Sequence, residues 1–416
     1  SMRLAIRKSA DEGWLCEHMF VLGCLNREKG RTTYFCGAYP SACGKTATAM
    51  MPGETIVGDD IAYFRNINGE FRAANVERGI FGIIRDVNPK DDPVLFDSLM
   101  QEREMIFSNV LTGPDNNPYW LGMEGDSEPD GNGNLVVKLE GEEDLVIPRQ
   151  GANHSGPGWF EGKKDAQGKE IPLAHSNARY TLRMEYLANL DPAWDDKEGV
   201  KVGGVVYGGR DSDTSVPVEE SFDWQDGIVI KALTLESETT SATLGQEGVR
   251  VPQPMANLDF VSYPIGQYVL NNVRFVEGMP EVPRIYAMNY FLRGEDGKFC
   301  TGKLAKRVWF HWAELRISNE VDALRTPTGL IPKYDDLRAL FSEILDEDYQ
   351  EEEYRYQFAF RCEPWLAKLA RSGKYFEEHV PDCPALVYET WQKATATIKA
   401  AQANQGDIIP PGAYRA

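Results

Sequence analysis

The sequence lacks long apolar runs. Nowhere do its 416 residues approach the roughly 20 consecutive apolar positions of a membrane helix, so no membrane partner is expected. The first residues carry Arg3, Arg7 and Lys8 but not the apolar stretch of a secretory signal. Basic residues are scarce, 44 against 64 acidic ones, for a formal charge of −20. That opposes nonspecific nucleic-acid binding, which depends on neutralising phosphates. A small polyanion remains compatible, because local loops and metals can override the global sign. The seven cysteines are scattered without a CxxC pair, which excludes a compact disulfide framework and suits a reduced, cytoplasmic compartment. There is no internal repeat, and the acidic, Gly/Pro-rich residues 122–133 lack the spacing of an EF-hand. What is there, 42% hydrophobic and 26% charged residues over this length, predicts a globular enzyme of two or three domains.

The most informative stretch is residues 34–60, YFCGAYPSACGKTATAMMPGETIVGDD. An apolar run ending at Cys36 predicts a buried strand, and a Gly/Pro-punctuated turn leads to Gly44, Lys45 and Thr46. An Ala/Met helix and a second strand, residues 55–57, then deliver Asp59 and Asp60. In such an order, backbone N–H groups and a lysine cradle phosphate oxygens, a threonine hydroxyl reaches a divalent metal, and a carboxylate completes its shell. Six residues separate Gly37 from Gly44, more than the usual G-x-x-x-x-G-K spacing, so the loop is a variant. Taken alone, Gly-Lys-Thr also fits a solvated lysine in an ordinary turn. The paired acids at a strand end are the independent support, since buried carboxylates are costly without a cation.

Elsewhere the pattern predicts a helix over residues 3–19, strands at 20–24 and 32–36, and an extension of the second-acid strand through 61–64. A tight turn at Asn68 and Gly69, a core strand in GIFGII (79–84), a short helix at 97–103 and a strand at 106–111 follow. Residues 202–207 form the strongest strand of the second half and end in Gly208, Gly209 and Arg210, where an arginine can grip a phosphate or simply be solvated. Residues 236–250, small and polar, suit either a mobile cover or a loop. Residues 282–292 read as a strand, 309–317 and 335–345 as helices, and 346–400 as surface-packed helices. His18, alone, is of the kind that usually packs or solvates.

YPSACGKT with IVGDD, then IFSNV, HSNARY, VVYGGR, FDWQDG, NYFLRGEDGKF and TPTGLIPKYDDL resemble, in order and spacing, the GTP-dependent phosphoenolpyruvate carboxykinases. The likeness runs from about residue 3 to 345 and more faintly to 400. It implies a mixed α/β fold, the family's C-terminal P-loop-like lobe with mixed sheets and peripheral helices. Residues 3–335 would form the catalytic, phosphate-binding lobe and 336–416 a helical extension packed on it. The reaction implied is oxaloacetate plus GTP to phosphoenolpyruvate, carbon dioxide and GDP. The resemblance further implies a preceding N-terminal lobe carrying a substrate arginine and a metal-ligating lysine, so that this chain by itself turns over little or nothing.

Residue roles follow from the same motifs. His18, in GWLCEHM, matches a ligand of Mn2+, together with Asp60 and with Asp59 beside it. Lys45 would neutralise the phosphates and Thr46 ligate the nucleotide's Mg2+. Ser41, Ala42, Cys43 and Gly44 belong to the phosphate loop, Ser41 also facing substrate, and Cys43 matches a reactive cysteine. Asn177 and Arg179 would contact the substrate and the transferred phosphoryl group, and Arg210 the γ-phosphate. Residues 236–250 fall where the family has a lid. Departures occur at 79–85 and at CTGKLAK (300–306), in place of the family's aromatic, glycine-rich guanine pocket. Pyrophosphate as donor is therefore a second reading, and a noncatalytic phosphate- or nucleotide-binding module a third.

Overall fold

This computed structural model describes residues 2–41, 43–132, 134–139, 141, 143–147, 151–153, 156–159, 168, 174–175, 177–239 and 248–415, with backbone alone at 151–153 and 156–159. The chain divides into two compact units. One comprises residues 1–49, 54–76 and 191–416; the other comprises 50–53 and 77–190.

The first unit is built on an eleven-stranded mixed sheet. At its centre lies Val200–Gly208, whose residues 204–208 are all buried, as a strand segment covered on both faces must be. It runs parallel to Arg31–Ala38 on one side, with Val205 opposite Cys36, and parallel to Arg284–Met288 on the other, with Val205 opposite Ile285. Phe20–Asn26 and Thr55–Gly58 continue the sheet beyond Arg31–Ala38 in antiparallel pairing. The N-terminal end of Val200–Gly208 pairs instead with Glu70–Asn75, which carries the sheet on through Ala62–Ile67 to Leu15–Glu17. In open α/β sheets ligands sit beyond the carboxyl ends of parallel strands. Here those ends lead into the loop after Ala38, into Arg210, and into Tyr290 and Phe291.

The helices Cys362–His379 and Ala385–Gln405 contribute Trp365, Phe376, Trp391 and Ile398 to the same core as Val205 and Ile285. Trp391 anchors this packing by donating its indole N–H to the Val229 carbonyl at 2.9 Å. Residues 227–232 form a buried, wide helical turn, in which the Leu233 N–H reaches back to Ile228. Lys306–Ile317 and Tyr334–Leu345 are helical as expected.

In the other unit, Arg179–Arg183 is the middle strand of an antiparallel three-stranded sheet, between Gly79–Ile83 and Ile106–Ser108. The helix Pro93–Met100 buries Leu95, Phe96 and Leu99 in this unit.

Three local expectations are corrected. The N-terminal helix stops at Glu12, because Gly13 turns left-handed (φ 76°), and Leu15–Glu17 is a strand. The second-acid strand does not continue past Asp60; Ala62–Ile67 is a separate strand on the other arm of the sheet. GIFGII is not a core strand, since Phe81 is 64% and Ile83 42% exposed.

Candidate active site

The loop that follows Ala38 is shaped from beneath by aromatic rings. Tyr39 is fully buried, stacked on Phe20 at 5.7 Å between centroids and next to Tyr290 at 6.0 Å. The Cys43 N–H closes a turn onto the Pro40 carbonyl (3.1 Å), and the Tyr290 hydroxyl donates to the Cys43 carbonyl. Gly44 has φ 81°, and a Cβ there would lie 2.7 Å from the Tyr290 oxygen. Glycine is thus required twice, for backbone conformation and for space. The helix Lys45–Ala49 starts at once, and Lys306 donates to the Ala47 carbonyl at 2.6 Å.

Lys45 folds back to pair with Asp60 Oδ1. The same oxygen lies 2.9 Å from His18 Nε2, while His18 Nδ1 faces the Ala256 carbonyl at 3.2 Å. With the proton on Nδ1, Nε2 offers a lone pair to whatever cation Asp60 holds. Burial opposes the charge of Asp60, but the His18 hydrogen bond and the positive charge of Lys45 outweigh it and hold its pKa below the usual carboxylate range.

Asp59 differs. It is buried, and burial, with repulsion from Asp60, pushes its pKa up to about 6 against the pull of Lys45. Its Oδ2 accepts from the Thr46 hydroxyl at 3.2 Å, and its buried Oδ1 has no hydrogen-bond partner among the described residues. An orphaned carboxylate oxygen beside a threonine hydroxyl, and an imidazole beside a carboxylate, are donor sets that fit hard or borderline divalent cations.

Cys43 is 1% exposed; burial pushes its thiol pKa up, against hydrogen bonds from Ser237 (Sγ–Oγ 3.1 Å) and the Arg210 backbone. The Arg210 guanidinium lies over the Phe291 ring at 4.2 Å. Phe291 in turn meets Tyr290 at 4.7 Å and Phe299 edge-on at 6.0 Å. Sequence reasoning gives these rings and Lys306 no role in the site, because their contacts are to backbone carbonyls and to distant loops. The NYF triplet that follows the strand Arg284–Met288 is the one available signal. Ser41 is exposed on the loop, and Ala42 lies outside the described residues. So do residues 240–247 of the expected lid segment. Asn177 and Arg179 meet in the other unit, where the Arg179 Nε donates to Asn177 Oδ1 at 2.9 Å and the guanidinium lies 5.2 Å from the Phe81 ring.

The phosphoenolpyruvate carboxykinase C-terminal P-loop domain matches residues 14–397. The chain belongs to the GTP-dependent phosphoenolpyruvate carboxykinase family. It is 47% identical over 412 residues to the GTP-type phosphoenolpyruvate carboxykinases of Pyrococcus horikoshii and Pyrococcus furiosus, covering 99% of this chain. The likeness to the Corynebacterium efficiens protein is 30% over 414 residues. The chain spans 62% of the length of each of these carboxykinase relatives.

A second cluster, apart from these family motifs, could also hold a divalent ion. The ligand atoms of Cys24, Glu54 and His311 lie within 4.8 Å of one another. Glu54 there already accepts from the Leu25 N–H at 2.7 Å and pairs with His311 at 2.8 Å, with Arg307 at 3.6 Å. All seven cysteines are free thiols, and no described helix is long and apolar enough to cross a membrane.

Proposed function

We propose that this chain carries the phosphate- and metal-binding half of a phosphoenolpyruvate carboxykinase reaction, in which oxaloacetate and GTP give phosphoenolpyruvate, carbon dioxide and GDP. The observation that carries the proposal is the convergence of His18 and Lys45 on Asp60, beside a Thr46–Asp59 pair with an orphaned buried oxygen. Divalent cations, Mn2+ at His18 and Asp60 and Mg2+ at Thr46 and Asp59, would supply positive charge to the enolate oxygen and to the phosphates. Lys45 exchanges its pairing with Asp60 for the phosphate oxygens as donor binds. Loop N–H groups of Ser41 and Gly44 bind the same oxygens, and Arg210 takes the terminal phosphate. Asn177 and Arg179 bind the carboxylate-bearing substrate. Cys43, protonated and buried, acts in this reading by shaping the loop through its bonds to Ser237 and Arg210. The free thiols suit a reducing, cytoplasmic setting.

GTP is favoured over pyrophosphate by the ring cluster of Tyr290, Phe291 and Phe299 beside Arg210, a stacking surface that pyrophosphate would leave unused. Calorimetric titration of GTP, ATP and pyrophosphate with Mn2+ and Mg2+ tests both claims. GTP binding tighter than pyrophosphate is the expected result. Pyrophosphate binding as tightly as GTP overturns the choice of donor, and no phosphate ligand binding at all overturns the reading.

A further inference from the structure

The loop after Arg210 is held by an ionic cluster, centred on the buried Asp211, that phosphate chemistry does not itself call for. Asp211 is 5% exposed and accepts from the N–H groups of Thr214 (2.9 Å) and Ser215 (3.1 Å) and from the Ser215 hydroxyl (2.7 Å). Its charge is met by Arg250 at 3.4 Å and Lys368 at 3.5 Å. Arg250 sits on the strand Arg250–Pro252, directly opposite Glu238 of Glu236–Glu238, and bonds it at 3.0 Å. It also reaches the Thr214 hydroxyl at 3.0 Å and pairs with Asp213. Glu236, at 4.0 Å from Arg250, is gripped by Nε and Nη2 of Arg371 at 2.8 Å each.

One guanidinium therefore ties two segments together, and both touch Arg210. The Glu238 N–H donates to the Arg210 carbonyl at 3.0 Å, and Ser212 donates to Glu238 Oε1 through its hydroxyl at 2.6 Å. The Arg210 N–H bonds the Cys43 thiol of the phosphate loop. In charge terms, four carboxylates (Asp211, Asp213, Glu236, Glu238) face three cations (Arg250, Lys368, Arg371). Removing Arg250 leaves Asp213 and Glu238 without their cation, and unties the turn at Asp211 from Glu238, whose N–H holds the Arg210 carbonyl.

We propose that Arg250 is the positioning residue for Arg210, and that it sets the preference of this site for a nucleoside triphosphate over the diphosphate. The inference rests on the reading above that Arg210 holds the terminal phosphate. It predicts that loss of Arg250 weakens only the binding of the group that Arg210 grips, whereas a merely structural brace would weaken both nucleotides alike.

The test is calorimetric titration of GTP and GDP, each with Mg2+, into the unaltered chain and into Arg250→Gln, Arg250→Lys and Arg210→Gln. Arg210→Gln should lower the GTP-to-GDP affinity ratio. Arg250→Gln should lower it by about tenfold, the scale of one charge-assisted contact, with GDP affinity held within about twofold. Arg250→Lys keeps the charge but loses the planar fork, and its ratio should fall between those of the unaltered chain and Arg250→Gln. Should the glutamine variant fail to fold, the lysine variant decides alone. An unchanged ratio in the Arg250 variants while Arg210→Gln lowers it overturns the inference and leaves the proposed function standing. GTP and GDP affinities falling together in the Arg250 variants also overturn it. An unchanged ratio in Arg210→Gln overturns the role of Arg210, and this inference with it.

Discussion

Gly44→Ala is the sharpest probe of the phosphate loop. Alanine at φ 81° sits in left-handed space, which costs an L-residue about 1–2 kcal/mol. The new methyl would also lie 2.7 Å from the Tyr290 oxygen, closer than such atoms approach, so the hydroxyl must leave the Cys43 carbonyl it serves. Losing that bond costs about 1 kcal/mol, for a total of roughly 2–3 kcal/mol. Tyr290→Phe alone should cost about 1 kcal/mol, because it removes the same bond without the strain. In the double variant the bond can be lost only once. Its cost should therefore match that of Gly44→Ala and fall short of the sum by about 1 kcal/mol. Denaturant unfolding of the four proteins supplies the cycle, and GTP titration should show weakened binding wherever Gly44 is altered. Additivity within about 0.3 kcal/mol would refute the claim that Tyr290 and Gly44 share one constraint.

Lys306→Met should uncap the helix that begins at Lys45, leaving the Ala47 carbonyl without its 2.6 Å donor, at a cost of about 1–3 kcal/mol in unfolding experiments and with weaker phosphate binding. A variant as stable as the parent would show that water replaces the lysine. Asp211 carries a pH dependence. Burial opposes its charge, but Lys368, Arg250 and the Ser215 and Thr214 donors hold its pKa below the ordinary value. The unfolded chain then binds the proton first, so the stabilisation is complete above about pH 4 and is lost as pH falls below it. Melting curves of Asp211→Asn against pH should be flatter over that acid range, and a slope equal to the parent's would contradict the assignment.

The strand, loop, helix and paired acids of residues 34–60 were legible because each step is local: an apolar run, a turn rich in glycine and proline, a second apolar run ending in charge. Asn68 and Gly69 were legible for the same reason and do form a left-handed turn. His18 was visible only through resemblance. It follows a three-residue strand that periodicity merged with the preceding helix, and its partner Asp60 comes from another part of the sheet. The half-exposed strand Gly79–Ile83 reads as a buried run because all five of its positions are apolar or glycine, whereas only Ile80 of its large residues faces inward. The cluster around Arg250 could not be read at all. Its carboxylates and cations are ordinary surface residues in sequence, and only folding brings the Cys362–His379 helix against the loop after Arg210.

The central claim is that Asp60 and His18 hold a divalent cation next to the phosphate loop. Mn2+ titration followed by electron paramagnetic resonance, on the parent chain and on His18→Asn and Asp60→Asn, tests it most directly. The account predicts one tight Mn2+ in the parent, weakened in both variants by at least the ~10–100-fold that loss of even an outer-shell partner costs. Equal Mn2+ affinity in all three proteins would contradict it.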